Sequence, residues 1–409
     1  MSRLNALLTK HARNVAGIMS GTSADGVDVA IVRLDGSGPG LGMEILGHTH
    51  LDYAPEFRDL VLSHALDRGA TVKSISQLNV ALSHVYADGV RSALDRTGLR
   101  TSDLDLIGCH GQTVQHVPVP EDVAGRKITS TLQLGDPAVL ANLLGVPVVG
   151  NFRQPDMTLG GQGAPLVPYF DYVAFSDPVT YRVLLNLGGI ANLTFLLPDG
   201  RPEDVIAFDT GPANMLIDFL CLRLFNIPMD RNGEIAASAR PDTSVMTDVL
   251  AHEYFERRPP KATGRELFND VFASDVCRRF ESIYGPESGW TDSERRTVIS
   301  SVTWLSARSI ADAMRRWNPL DRQPDVVIAA GGGTLNPTLM SMVRQEVEGV
   351  DVKPIDDFGI RSDVKEALCF AVLAHEFVNE VPTGMPSVTG ARSRAIQGSL
   401  SLPSDPADS

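Results

Sequence analysis

Residues 181–197, YRVLLNLGGIANLTFLL, are two apolar runs hinged on Gly188-Gly189. Their length, β-branched content and glycine hinge predict two paired strands. Residues 204–209, DVIAFD, supply a third strand, and its last residue is an acid that runs into the turn of TGPAN. An acid at a strand end is ordinarily a cap or turn residue, since its oxygens accept nearby backbone N–H bonds. The chain opens in the same way: an apolar run at 15–19, the turn SGTSADG at 20–26, then Val27, Val29 and Ile31 alternating with Asp28, Ala30 and Val32. No residue-level repeat links the halves; the likeness is one of layout.

Outward from these hairpins, strands and helices alternate, which predicts an α/β protein. A helix is expected around 73–95. SDLDLIGCHGQT (102–113) reads as a buried strand ending in a polar loop, and DPAVLANLLG (136–145) as a helix with Asp136 as cap and Pro137 first. The strand VPVVGNF follows, then a loop around 173–182. TDSERRTVISSVTWLSARSIADAMRRW (291–317) carries a capping box, Thr291 with Glu294, and apolar residues at helical spacing. PDVVIAAGGG is an apolar strand with a triple-glycine turn, followed by a helix capped by Asn336 with Pro337 next. A last helix, SDVKEALCFAVLAHEF, is expected to be capped by Ser362, and the Ser/Pro/Gly-rich tail after Pro382 to be frayed.

At 409 residues the chain is too long for one core and predicts two domains or three. A net charge of −14 disfavours nucleic acid and membrane surfaces, which would repel it, while leaving room for an anionic small ligand held by backbone amides. Four scattered cysteines, Cys109, Cys221, Cys277 and Cys369, form no Cys-x-x-Cys pair, and no apolar stretch reaches signal or membrane-span length. These features predict a cytoplasmic protein.

Three turns are dense in small residues: SGTSADGVD, NLGGIAN with DTGPAN, and AAGGGTLNP. Each alone is ordinary turn chemistry. Together they suit phosphate, because glycine admits an oxyanion where Cβ would intrude and Ser20, Thr22 and Ser23 add hydroxyl donors. Neither a P-loop nor a dinucleotide fingerprint is present. The remaining common solution is the split fold of sugar kinases, actin and the seventy-kilodalton chaperones. Phosphoryl transfer also needs Mg²⁺ on hard oxygens and a base; the candidate acids are Asp25, Asp209 and Glu366, although an acid in a helix's first turn, such as Glu366, is favourable by itself.

GIMSGTSADGVDVAIV, GCHGQTVQH, LQLGDPAVLANLLGVPVVGNFRQPD, GGQGAPLVPYFD, LNLGGIANLT, FDTGPAN, DRNG, PPKATGRELFN, AAGGGTLNPTLM and PSVTGA, in this order from about residue 15 to 391, resemble the 1,6-anhydro-N-acetylmuramic acid kinase family. Levoglucosan kinases share most of these words. The resemblance implies an α/β, two-lobed actin-like and hexokinase-like ATPase fold with ribonuclease H-like lobes and an active site in the interlobe cleft. Lobe I would span 1–180 plus 361–409, and lobe II 181–360.

It also implies ATP and Mg²⁺ as cofactors, an anhydro-sugar substrate whose freed O6 is phosphorylated, and frequent homodimers. The first phosphate loop would be Gly21, Thr22, Ser23, Ala24, Asp25, Gly26, Val27 and Asp28. The second would use Gly188, Gly189, Gly211 and Asn214, and the adenosine loop Gly331, Gly332, Gly333 and Asn336. Asp209 matches the base; Asp25 and Glu366 match the metal-side acids, with Asp209 able to share the ion. His110, Gln112, Thr113, Arg153, Asp156, Gln162 and Gly163 would line the sugar side.

Asn151, Ala213 and Asn232 stand where the family commonly has Asp, Gly and Asp, which bears on sugar preference. Taken by themselves, His110 and His116 read as hydrogen-bonded turn histidines rather than metal ligands. Arg153 and Arg265 fit either a bidentate anion contact or a structural salt bridge, and Lys261 reads as solvent-exposed. The competing readings are a levoglucosan kinase and an actin-like or chaperone-like ATPase; the latter needs none of the sugar-side words.

Overall fold

A computed structural model describes residues 3–404 apart from 22 and 67. The chain divides into two compact units, unit 1 of residues 1–174 and 363–409 and unit 2 of residues 175–362. Residues 175–180, assigned to the first lobe in the sequence reading, group with unit 2. Arg182 ties them there, donating to the Phe175 carbonyl at 2.9 Å and pairing with Asp177 at 2.6 Å.

Unit 1 is built on a seven-stranded sheet. Strands β1 (Ala12–Ser20), β2 (Gly26–Asp35) and β3 (Gly42–Asp52) form an antiparallel meander. β4 (Leu106–Val123) lies parallel to β1 and pairs with β5 (Arg126–Leu134); β6 (Val148–Gly150) lies parallel to β4. Side chains alternate across the sheet. Ala16 and Ile18 of β1 therefore point into a core completed by Leu78, Leu82, Tyr86 and Val90 of the helix Val72–Thr97. Gly17 points the other way, paired in register with Gly108 of β4. The helix Lys365–Val378 crosses directly over this glycine pair: a Cβ on Gly17 would run into the Ala367 carbonyl, and one on Gly108 into the Phe370 carbonyl.

Unit 2 repeats the plan with β7 (Arg182–Leu187), β8 (Ile190–Leu196) and β9 (Ile206–Pro212) as an antiparallel meander, then β10 (Val326–Ala330) and β11 (Asp351–Pro354) in parallel beyond β7. Its core joins Val183, Leu185 and Leu187 to Ala307, Ile310 and Met314 of the helix Asp292–Arg316. The capping box of Thr291 and Glu294 is formed in both directions. The Asn336 and Asp136 side chains cap their helices as expected. The layout likeness between the halves is thus a shared strand order.

Four expectations are corrected. HGQT is not a loop: β4 continues through it to Val123 and folds back as a hairpin, with the register shifting between Val117 and Glu121, where Pro118 and Pro120 offer no N–H to the ladder. Residues 167–175 are helical, so the loop before β7 is shorter than expected. Ser362 does not cap the last helix, whose N-cap is Val364; its hydroxyl accepts from the Gly331 amide at 2.6 Å. The tail is ordered within the described residues, with a helical turn at Pro386–Thr389 and a strand β12 (Ser399–Ser401) antiparallel to β6. Backbone pairing at a sheet edge leaves little trace in composition. Among the described residues no helix is long and apolar enough to cross a membrane.

Candidate active site

In unit 1, the turn between β1 and β2 is fastened from below. Gln112, buried in β4, donates from Nε2 to the Gly21 carbonyl at 3.1 Å and accepts from Ser20 Oγ at 2.6 Å. Ala24 N–H closes the turn on Gly21 O at 3.1 Å, and Tyr53 N–H bonds the Asp25 carbonyl at 2.9 Å. Gln112, expected on the sugar side, is therefore spent on the turn. Thr22 lies outside the described residues. Ser23 Oγ donates to Asp25 at 2.8 Å, and both are exposed. Gly26 and Val27 are buried in β2, so Val27 serves the core with its side chain. Asp28 pairs with His50 Nδ1 at 2.7 Å. Burial raises the Asp28 carboxyl, the His50 bond opposes the rise, and Asp25 and Asp363 add to it.

Glu366 stands in the first turn of the helix over the glycine pair, beside a buried ion pair of Lys365 and Asp171 at 2.6 Å. The residue is exposed. The dense protein around it still raises its pKa, Lys365 and Arg153 opposing and Asp28 adding. Among the described residues no group of three or more His, Cys, Asp or Glu side chains is placed to hold a metal by itself.

Three sugar-side words meet in unit 1. His110 is buried in β4 with Nδ1 against Gly111 O at 2.7 Å, and Nε2 accepts from Arg153 Nε at 3.0 Å. Burial, then Arg153, lowers His110 to about 3. Burial lowers Arg153 to about 10, against a pull from Glu366. His116 bonds Thr131 Oγ1 at 3.0 Å through Nδ1; its pKa is lowered by burial and then by Arg153, while the Gln162 backbone opposes. Thr113 Oγ1 accepts from Gln133 at 3.2 Å. Asp156, fully buried, accepts from Gly163 N–H and from Thr389 Oγ1, both at 2.8 Å. Both Asp156 oxygens thus pin the 160–163 loop, where Gln162 N–H bonds Thr389 O at 3.0 Å and Gly163 holds a φ of +71°. Asn151 is also structural: at φ +58° it donates to Ser399 of β12 at 2.9 Å, and Asn tolerates that left-handed backbone better than most residues.

In unit 2, Asp209 lies inside β9, and its partners are remote in sequence. Oδ2 accepts from Thr263 N–H at 2.8 Å, the backbone N–H bonds Lys261 O at 3.1 Å, and Tyr254 OH donates to the carbonyl at 2.9 Å. Oδ1 has no hydrogen-bond partner among the described residues. Burial raises the carboxyl to about 6, with the Thr263 amide opposing, Glu266 adding and Lys261 opposing. Lys261, expected at the surface, is 5% exposed. It lies 4.5 Å from the Tyr254 ring centroid and donates to the Tyr254 carbonyl at 3.1 Å. Burial holds its amine down to about 8. Thr263 and Tyr254 escaped the sequence reading; only the KAT of PPKATGRELFN marked the segment. Arg265 is exposed.

The glycine turns of unit 2 divide their labour. Gly188 and Gly189 carbonyls accept from the backbone N–H groups of Ala213, Asn214 and Met215, and Asn214 Nδ2 adds a bond to Gly188 O at 2.9 Å. The start of the helix Asn214–Phe225 is therefore consumed by the turn. Gly211 lies in β9. Gly331 has φ +90°, and a Cβ there would sit 2.7 Å from the Leu187 carbonyl; Gly333 would meet the Leu187 side chain at 2.7 Å. Gly332 faces open space, and Asn336 spends its oxygen on Leu339 N–H at 3.0 Å.

Comparison with known proteins adds three findings. A family model described as anhydro-N-acetylmuramic acid kinase matches residues 13–403. A protein of that name from Salinibacter ruber is 48% identical over 404 residues, covering 98% of this chain and 100% of its own, and one from Bacillus thuringiensis is 38% identical over 395 residues, covering 96% and 99%. Among solved structures, the activator of the 2-hydroxyisocaproyl-CoA dehydratase from Clostridium difficile aligns with a TM-score of 0.44 at 12% identity (90% and 96% covered). A ROK family glucokinase from Streptomyces griseus aligns at 0.38 and 12% (89% and 99% covered).

Proposed function

Because the chain belongs to the anhydro-N-acetylmuramic acid kinase family, we propose that it uses ATP to open 1,6-anhydro-N-acetylmuramic acid and to phosphorylate the freed O6, giving N-acetylmuramic acid 6-phosphate and ADP. Near-complete coverage of a relative at 48% identity carries this reading. The four cysteines, all free and buried, support a cytoplasmic setting.

The substrate has no free 6-hydroxyl, so ring opening must create the acceptor. Asp209 suits the base: with Oδ2 held by Thr263, Oδ1 is left to take a proton from water as it attacks the anomeric carbon. A carboxyl raised to about 6 accepts that proton more readily than an ordinary aspartate while remaining mostly ionised at neutral pH. O6 departs toward the terminal phosphorus, which fills the place of a general acid, so one carboxylate suffices where glycosidases use two. By the family resemblance, the β1–β2 turn is the phosphate loop of unit 1, and the turns at 188–189 and 331–333 are the phosphate and adenosine loops of unit 2.

Asp25 and Glu366 would hold Mg²⁺ together with phosphate oxygens, a mixed ligand set usual for this ion. The acids around them suit a cation: Asp25 and Asp363 each act on Asp28, and Asp28 adds to the rise at Glu366. When bound, the ion supplies charge neutralisation at the phosphates.

Turnover in oxygen-18 water tests the reading. The label is expected on the anomeric hydroxyl; label in the phosphate, or turnover of levoglucosan but not of the muramyl sugar, would replace it.

A further inference from the structure

The Arg153–His110 contact reaches beyond the reaction just described and rests on that reading. His110 is fixed as one neutral tautomer: Nδ1 donates to Gly111 O at 2.7 Å, which leaves Nε2 as an acceptor, and Arg153 Nε donates to it at 3.0 Å. The buried ring packs against Phe370 at 4.6 Å, itself 5.5 Å from Phe152. The Phe370 backbone is in turn seated on Gly108. Using the guanidinium's Nε leaves the edge carrying both Nη groups, and among the described residues no carboxylate is paired with that edge. Arg153 also acts on His116, whose ring meets the Gln162 backbone. Glu366 pulls on this charge without a hydrogen bond to it; a cation hydrogen-bonded to a neutral group rather than to an acid keeps its Nη groups for a ligand.

We propose that His110 is a positioning residue that aims the Arg153 fork at an oxyanion of the reactants, the substrate's lactyl carboxylate or the terminal phosphate. A charged hydrogen-bonded fork discriminates strongly, since its loss strands an anion without a partner.

The test measures turnover and calorimetric binding of 1,6-anhydro-N-acetylmuramic acid, of 1,6-anhydro-N-acetylglucosamine, which lacks the lactyl group, and of a non-hydrolysable ATP analogue. Arg153→Met is expected to lose about 100-fold for its oxyanion. Loss confined to the muramyl sugar identifies the carboxylate; equal loss on both sugars with weaker nucleotide binding identifies the phosphate. His110→Phe, which keeps the stacking but accepts no hydrogen bond, is expected to lose about tenfold on the same ligand, whereas His110→Gln, whose carbonyl can accept from Nε, stays within about threefold at an unchanged melting temperature. Arg153→Met within about threefold of wild type on all three ligands overturns the fork, and His110→Gln falling with His110→Phe overturns the positioning role. If wild type phosphorylates neither sugar, the kinase reading fails, and the binding arm still judges the fork.

Discussion

At Asp209 the bland reading of an acid at a strand end was half right, because its carboxylate does accept a backbone N–H. The donor is Thr263, 54 residues away, so the bond orients the group rather than capping a turn. That separation explains why the partner was not legible: local patterns report local bonds. Lys261 departs from expectation for a related reason: a lone lysine is normally solvated, and the assembled Tyr254 and Phe208 rings together with the Tyr254 carbonyl make its burial tolerable. Asp209→Asn, which keeps the shape but cannot take a proton, is expected to lower kcat at least about 1,000-fold while calorimetry shows ATP binding within about threefold of wild type. For wild type, kcat/KM should rise with pH through a midpoint near 6, because the carboxylate form is the active one and burial delays its appearance. A rising limb near 4 would mean that another group sets the profile.

Among the elements, those with a chemical start signal were legible: Asp136 with Pro137, Thr291 with Glu294, and Asn336 with Pro337 all cap as their spacing implies. The elements missed were defined by partners far along the chain. The outer half of β4 needs β5, and β12 needs β6. Ser362 resembled a cap but serves the Gly331 turn of its own unit. Gly17 and Gly108 were invisible as a pair until the strands were in register, yet they decide how closely the helix carrying Glu366 approaches the sheet. Gly108→Ala should therefore cost about 3 kcal/mol by overpacking against a backbone that has no rotamer to yield, measured as a lower urea midpoint. A loss below 0.5 kcal/mol would show that the helix can lift freely.

For the molecule as a whole, pH acts on folding through groups remote from the chemistry. His375 is fully buried, its Nε2 2.9 Å from the Gly36 carbonyl, and burial holds it down to about 4. Unfolded, it would titrate near 6.5, so its contribution is complete above that pH and declines as acid charges the unfolded chain. Between pH 7 and pH 5 the stability advantage of wild type over His375→Asn should shrink by about 2 kcal/mol, from denaturant curves at both pH values. An advantage that grows on acidification would contradict the sign.

The pairing of Ser399–Ser401 with Val148–Gly150 has a practical side. That short terminal segment is the guard rail of an otherwise bare ladder rung, and it also holds the side chain of Asn151. Ending translation at residue 396 should expose the β6 backbone to neighbouring copies and turn a monodisperse preparation into a sticky one, visible as growing light scattering on concentration. Anyone trimming or tagging this protein should leave its final strand intact and build outward from beyond it.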